Sequence, residues 1–229
     1  MSEVCKIYKP EILTCPICGE KLYYRYAVSN KLVYFSSGKH MRIKNLGYSC
    51  PKCDNNYVYV SQTANKLAFK GYTYSAKIVC IIDKMKENKV SRESICDYFY
   101  TKNIEISERN IDNLYHKIKQ YKSQDYKNKI NDAYKSMMEK YNQIRLSIDI
   151  ITVSGSIYMI VYDYFTTNIL AIRVFESICD EKVKLFLEEF IRKDLNITYI
   201  ASIRRDSSFI PILKSLCPQH TKIIHFNKY

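Results

Sequence analysis

The chain has 229 residues, with 36 Lys or Arg against 23 Asp or Glu and a net charge of +13. Five Gly and five Pro exclude a low-complexity chain, and no apolar run approaches the roughly 18 residues that a membrane-spanning helix needs. Met-Ser-Glu-Val-Cys-Lys at the start lacks the apolar core of a secretory signal, so the nine Cys point to metal ligation and buried thiols, not to disulfides.

The charge is unevenly placed. Residues 1–143 hold 25 Lys/Arg against 14 Asp/Glu, whereas residues 144–229 hold 11 against 9. A basic excess confined to the first part of a chain implies a polyanionic partner, most often nucleic acid and less often an anionic membrane. A merely soluble Lys-rich surface is the bland alternative.

Residues 1–70 carry two knuckles, Cys15-Pro-Ile-Cys18 and Cys50-Pro-Lys-Cys53. Each CxxC lets two thiolates converge on one side of a metal, and two such pairs complete a tetrahedral four-cysteine site with no open position for water. Between them, Lys21–Tyr34 and Met41–Ser49 alternate as strands around a Ser36-Ser-Gly38 turn. That is the layout of a zinc ribbon with a structural Zn²⁺. Cys5 lies too far from the first knuckle to join it, and His40 reads as a surface residue.

Residues 71–122 follow a helical rhythm. Ile78, Val79, Ile81, Ile82 and Met85 form an apolar stripe after a Ser75 cap, and Ser91 caps a second helix through Phe99. In a third, Ile111, Leu114, Tyr115 and Ile118 make the buried face and leave Arg109, Asn110, Asn113 and Lys117 outward. Three such helices suggest a helix-turn-helix that reads double-stranded DNA through the third. The connection Tyr100–Ile106 is longer than the usual turn, and a plain three-helix packing module is the alternative. Residues 123–143 read as an amphipathic linker helix, which would also suit a homodimer.

Residues 144–229 open with Arg145-Leu-Ser-Ile-Asp149-Ile-Ile-Thr-Val153, a β-branched run of the kind buried on both faces. One carboxylate sits in its middle, and an ionised Asp is almost never buried unless it is paired or holds a metal. Strands at Ser156–Tyr164 and Asn168–Phe175 follow, then an amphipathic helix from Asp180 and a strand Thr198–Ile203 leading into Asp206 between Arg204, Arg205 and Ser207. Asp163 precedes the Thr166-Thr-Asn168 turn and reads as structural. A short helix over Ser208–Leu216 and a fifth strand over Thr221–Phe226 end the pattern. Three strands, a helix and a strand, with Asp on the first and just after the fourth, are the opening of an RNase H-like fold. The fold class expected is therefore multi-domain α+β: zinc ribbon, helix-turn-helix and an incomplete RNase H-like α/β core. Its boundaries fall at 1–70, 71–122, 123–143 and 144–229.

In this order the ribbon, the helices and Leu-Ser-Ile-Asp149…Val-Tyr-Asp163…Ile-Arg-Arg-Asp206…Cys-Pro218…His225-Phe226 resemble insertion-sequence transposases of the Asp-Asp-Glu class. The resemblance implies a cytoplasmic, nucleoid-associated enzyme that cleaves and transfers DNA strands. Asp149 and Asp206 match its first two catalytic acids, binding Mg²⁺ or Mn²⁺, with Arg204 and Arg205 beside the phosphates. The two carboxylates are then expected to face each other on an accessible edge. The family's third acid lies well downstream on a helix, yet no Asp or Glu follows Asp206. The expectation is a core cut short of that helix and completed by another polypeptide, or a catalytically inactive DNA-binding regulator. Glu188 or Glu189 as a helix-borne substitute is a further alternative, with a solvated helix face as the simpler account of that pair.

Overall fold

A computed structural model describes residues 5–53, 57–68, 71–123, 126–177, 180–191, 195, 197–202, 209–217, 219 and 221–225, and the side chains of most of them. The described residues form a mixed α+β protein with seven helices and two sheets. The chain divides into two compact units, Met1–Tyr115 and His116–Tyr229.

The first unit begins with β1 (Cys5–Tyr8), β2 (Tyr23–Tyr34) and β3 (His40–Ser49), ordered β1-β3-β2. β2 and β3 pair as an antiparallel hairpin, and β1 adds in parallel on the other side of β3. A short helix, α1 (Gln62–Lys66), packs Ala64 and nearby Ala68 against Tyr8, Val33 and Ile43. Neither β1 nor α1 is marked by the sequence pattern, because each is too short to show a period. α1 is held instead by tertiary bonds: Glu11 accepts from Ser61 Oγ (2.7 Å), Gln62 N (3.0 Å) and Thr63 N (2.8 Å) at its start. Asn45 on β3 accepts from Ser61 N at 3.0 Å and donates to Asn65 Oδ1 at 2.9 Å.

Three helices follow: α2 (Ala76–Glu87), α3 (Arg92–Tyr100) and α4 (Glu108–Lys122), the last running across the boundary between the units. Ile78, Val79, Ile82, Ile95, Phe99, Ile111 and Leu114 are fully buried, as their spacing predicts. Ser91 caps α3 by accepting from Ser94 N. Ser75 stands at the start of α2 but makes no capping bond; its N–H donates to Tyr34 O, and its buried hydroxyl has no partner among the described residues. The predicted Ser75 cap is thus positional only, since the chain enters α2 from a bridge to β2. The long α3–α4 connection is an ordered cap. Asn103 takes φ 57°, Ile104 N returns to Phe99 O, and Ile104 and Ile106 are buried.

The second unit holds α5 (Tyr126–Tyr141), β4 (Ile144–Val153), β5 (Ser156–Asp163), β6 (Ile169–Phe175), α6 (Asp180–Glu188), β7 (Ile197–Ser202), α7 (Phe209–Leu216) and β8 (Lys222–His225). The sheet order is β6-β5-β4-β7-β8; β4, β5 and β6 are antiparallel, and β7 and β8 run parallel to β4. β4 is the central strand, with Thr152 its one exposed residue. Ser154 and Gly155, both at positive φ, make the two-residue turn into β5. The expected linker helix, α5, packs on β4 and β6, buries Ile130, Tyr134, Met137 and Tyr141, and bonds Tyr134 Oη to Phe190 O at 2.9 Å. Pro211 falls in the first turn of α7, where its missing N–H costs nothing.

Candidate functional site

The two knuckles meet at one end of the three-stranded sheet. The first is pinned by a Thr14–Lys21 bridge and by Cys15 N donating to Glu20 O, the second by the Tyr48–Tyr59 bridge. A Lys52–Glu20 ion pair joins them. Cys18 Sγ lies 3.4 Å from both Cys50 Sγ and Cys53 Sγ, and Cys15 Sγ 3.7 Å from Cys53 Sγ; all four sulfurs are within 4.8 Å of one another. A thiolate tetrahedron with metal–sulfur bonds of about 2.3 Å has edges of about 3.8 Å, so the four Cys fit one ion such as zinc.

Their protonation fits a cation too. Burial opposes ionisation of Cys15, yet backbone N–H groups at Cys18 and Ile17, helped by Tyr59 and Cys53, bring its pKa down to about 6. Once Cys15 is anionic its neighbours resist: Cys53 is driven well up by Cys18, burial, Cys15 and Cys50. Burial and Cys15 raise the Tyr59 hydroxyl likewise. A metal would remove that conflict by holding all four as thiolates. Cys5 is exposed and outside the group, as expected, and His40 is exposed against the Tyr34 ring.

The third helix presents part of the predicted row. Arg109, Asn110 and Asn113 are exposed, opposite buried Ile111, Leu114 and Ile118. Lys117 is half-buried, its Nζ 5.3 Å from the Tyr121 ring. The start of α4 is fixed by ions that the sequence reading did not single out. Arg92 on α3 meets Asp112 Oδ2 at 2.9 Å and Glu108 Oε2 at 3.3 Å, and Lys86 on α2 meets Asp112 Oδ1 at 3.5 Å. Against burial, Arg92 and Lys86 hold the Asp112 carboxyl below its usual range.

Asp149 lies in the middle of the five-stranded sheet, opposite Ile160 and one residue beyond the Ile148–Ser202 rung with β7. It is 5% exposed, and its Oδ1 accepts from Ile150 N at 2.9 Å. The expected accessible edge is therefore a buried position, because β4 is covered on both faces. Asp206, Arg204 and Arg205 lie outside the described residues. Asp163 has the predicted structural place. Its carboxylate accepts from Phe165 N (2.8 Å), Thr166 N (3.3 Å) and Thr166 Oγ1 (2.5 Å), closing the turn into β6. Glu189 pairs with Arg173 on β6 at 3.5 Å, and Glu188 is exposed. Among the described residues the four Cys are the one gathering of three or more His, Cys, Asp or Glu able to hold a metal, and no helix is long and apolar enough to cross a membrane.

Compared with protein-family models and with curated proteins, the sequence matches none.

Proposed function

We propose that the chain is a DNA-binding protein built on the plan of an insertion-sequence transposase. In this reading the four Cys hold a structural Zn²⁺ in a ribbon, α2–α4 form a helix-turn-helix, and the five-stranded sheet is an RNase H-like core. The observation that carries it is the sheet itself. Three antiparallel strands continue into two parallel ones, with a buried carboxylate, Asp149, on the central strand beside the C-terminal end of β7. Asp206 follows Ser202, the last residue of β7, by four positions in the sequence. In this reading Asp206 would join Asp149 at a shared Mg²⁺ or Mn²⁺ site. Such ions, when bound, would lower the cost of generating the attacking oxygen and of releasing the departing one. Asp149 and Asp206 supply the negative charge that attracts them, and the basic first part of the chain supplies affinity for the phosphates.

The alternative, a DNA-binding regulator without strand chemistry, is favoured by one observation. Glu189 is engaged by Arg173 on β6, two strands from Asp149, which argues against it as the third acid.

Gel-shift and cleavage assays on the full chain test both readings. Duplex binding should weaken steeply with salt. Arg109→Ala and Asn113→Ala should each lower affinity for the preferred duplex by about 1–3 kcal/mol, the range for a base contact, while Lys135→Ala, at an exposed position of α5, should not. Absence of duplex binding at low salt overturns the whole reading. Cleavage dependent on Mn²⁺ and abolished by Asp149→Asn decides for the enzyme, and binding without cleavage decides for the regulator.

A further inference from the structure

β2 is an edge strand whose half nearest the knuckles is exposed on both faces. Tyr23, Tyr24, Tyr26 and Val28 are 55%, 56%, 48% and 47% exposed, unusual values for a row of large side chains. Register shifts between Tyr24 and Tyr26 and between Ala27 and Ser29 produce this display. They leave Arg25 and Val28 as inserted residues. Tyr24 then pairs with Tyr48, and its ring stands edge-on to that ring at 6.0 Å. Tyr26 pairs with Gly47, whose face is opposite to that of Tyr48.

The charge on this sheet is of one sign. Across β1, β2 and β3 there are five cations, Lys6, Arg25, Lys31, Arg42 and Lys44, and no Asp or Glu. An occupant must therefore be anionic and must also offer flat apolar faces to the rings. A second copy of the chain fails the first condition, since pairing two β2 edges about a two-fold axis sets Arg25 and Lys31 against like charges. Duplex DNA fails the second, because its base faces are stacked on one another and only edges and phosphates are presented. A single strand meets both: its bases are free to stack on Tyr, and its phosphates lie within reach of Arg and Lys.

We propose that the Tyr23–Val28 half of β2, with Lys44 on the adjacent strand, binds single-stranded nucleic acid. The site is separate from the row on α4 and does not rest on the assignment of that helix to duplex DNA. Stacking on aromatic rings tolerates any base, so the site takes a strand by its chemistry and not by its sequence.

The test is fluorescence anisotropy of the full, metal-loaded chain with labelled oligothymidine, single-stranded RNA and a duplex, plus co-sedimentation with phosphatidylserine vesicles. Tyr24→Ala combined with Tyr26→Ala should weaken single-strand binding about 5- to 100-fold, whereas the same pair changed to Phe keeps the rings and should stay within about 2-fold of the parent. Arg25→Ala and Lys44→Ala should each lower the salt slope for single strands by about 0.7. Arg109→Ala should leave single-strand binding unchanged. Loss with either strand type supports the site and identifies the strand. Single-strand affinity unchanged in the double Ala variant overturns it. So does an equal loss in the Phe pair, a loss confined to vesicles or to self-association, or an equal loss of single-strand and duplex binding in Arg109→Ala.

Discussion

With a metal held at the Cys15–Cys18–Cys50–Cys53 site, as proposed, its removal should unfold one end of the first unit and spare the rest. The buried apolar material there is small: Cys15, Leu22 and Cys50, with Tyr48, Cys53 and Tyr59 partly buried around them. Burial of Leu22 contributes about 1.5–3 kcal/mol. Ordering only the six residues Tyr48–Cys53 costs about 6–12 kcal/mol of backbone entropy, so side-chain burial falls short without another term. A four-thiolate metal supplies about 10–16 kcal/mol in small metal-folded domains, enough to close the gap. Chelation, or Cys50→Ser, should therefore open the Thr14–Lys21 and Tyr48–Tyr59 bridges. The cluster of Tyr8, Val33, Ile43, Ala64 and Ala68, and the buried faces of α2 and α3, have their own apolar cores and should stay protected. Hydrogen exchange read by mass spectrometry, with and without chelator, reports both regions, and Co²⁺ substitution should give the visible absorption of tetrahedral thiolate coordination. Unchanged protection at Tyr48 and Tyr59 after complete metal removal would refute the reasoning.

Gly38→Ala should cost about 2–4 kcal/mol in a thermal or urea melt, since φ is +79° and an added Cβ would meet Lys102 O at 2.3 Å, a backbone atom that cannot swing aside; a loss under about 1 kcal/mol would mean the turn and the α3–α4 connection separate freely. Glu11→Ala should lose about 1–3 kcal/mol by stranding Gln62 N and Thr63 N, with Glu11→Gln recovering part of it, and equal stability of all three proteins would remove the cap. Burial lifts the Asp163 carboxyl above its ordinary range despite the donors at Thr166 and Phe165, so the folded state holds that proton more tightly than the unfolded chain. Its contribution is fully present below the unfolded pKa and is lost as pH rises through the folded value; Asp163→Asn should flatten that part of a Tm-against-pH curve, and identical slopes would contradict it.

Long elements with strong periods were legible in the residues alone. β2, β3, α2, α3 and the second unit's strands fall within a residue or two of their predicted places, because alternation or a 3.6-residue stripe fixes each against a core. The cysteine group was legible because CxxC spacing is itself geometry. What escaped was built from distant partners. β1 exists by parallel pairing to β3, and α1 by a carboxylate some fifty residues earlier in the chain. The two bulges in β2 were hidden as well, since Tyr-Tyr-Arg-Tyr-Ala-Val reads equally well as unbroken alternation. Burial of Asp149 was foreseeable from its neighbours, but its depth in the sheet depends on β7 pairing beside β4, which no local pattern encodes.

Two buried carboxylates lie on one hairpin, and a paired substitution separates their roles. Asp163 answers three donors within its own turn, so its burial has a local cause. Asp149 takes the adjacent amide of Ile150 among its contacts, on a strand face that it shares with buried Ser147 and Ile151. For stability alone Val would suit that position if the carboxylate's contacts offset less than the several kcal/mol its burial costs, since burying Val contributes about 1.5–3 kcal/mol. A residue kept for chemistry against the interest of the fold should be replaceable without loss of stability. Asp149→Val should thus leave the unfolding free energy within about 1 kcal/mol of the parent or raise it. Asp163→Val should lower it by about 1–3 kcal/mol, because the buried N–H of Phe165 and the part-buried N–H of Thr166 lose their acceptor. Urea titrations of the two variants, with the slope checked for two-state behaviour, give the comparison. If Asp149→Val loses as much as Asp163→Val, the Asp149 carboxylate is holding the sheet together, and the case for it as a metal-binding acid falls with that result.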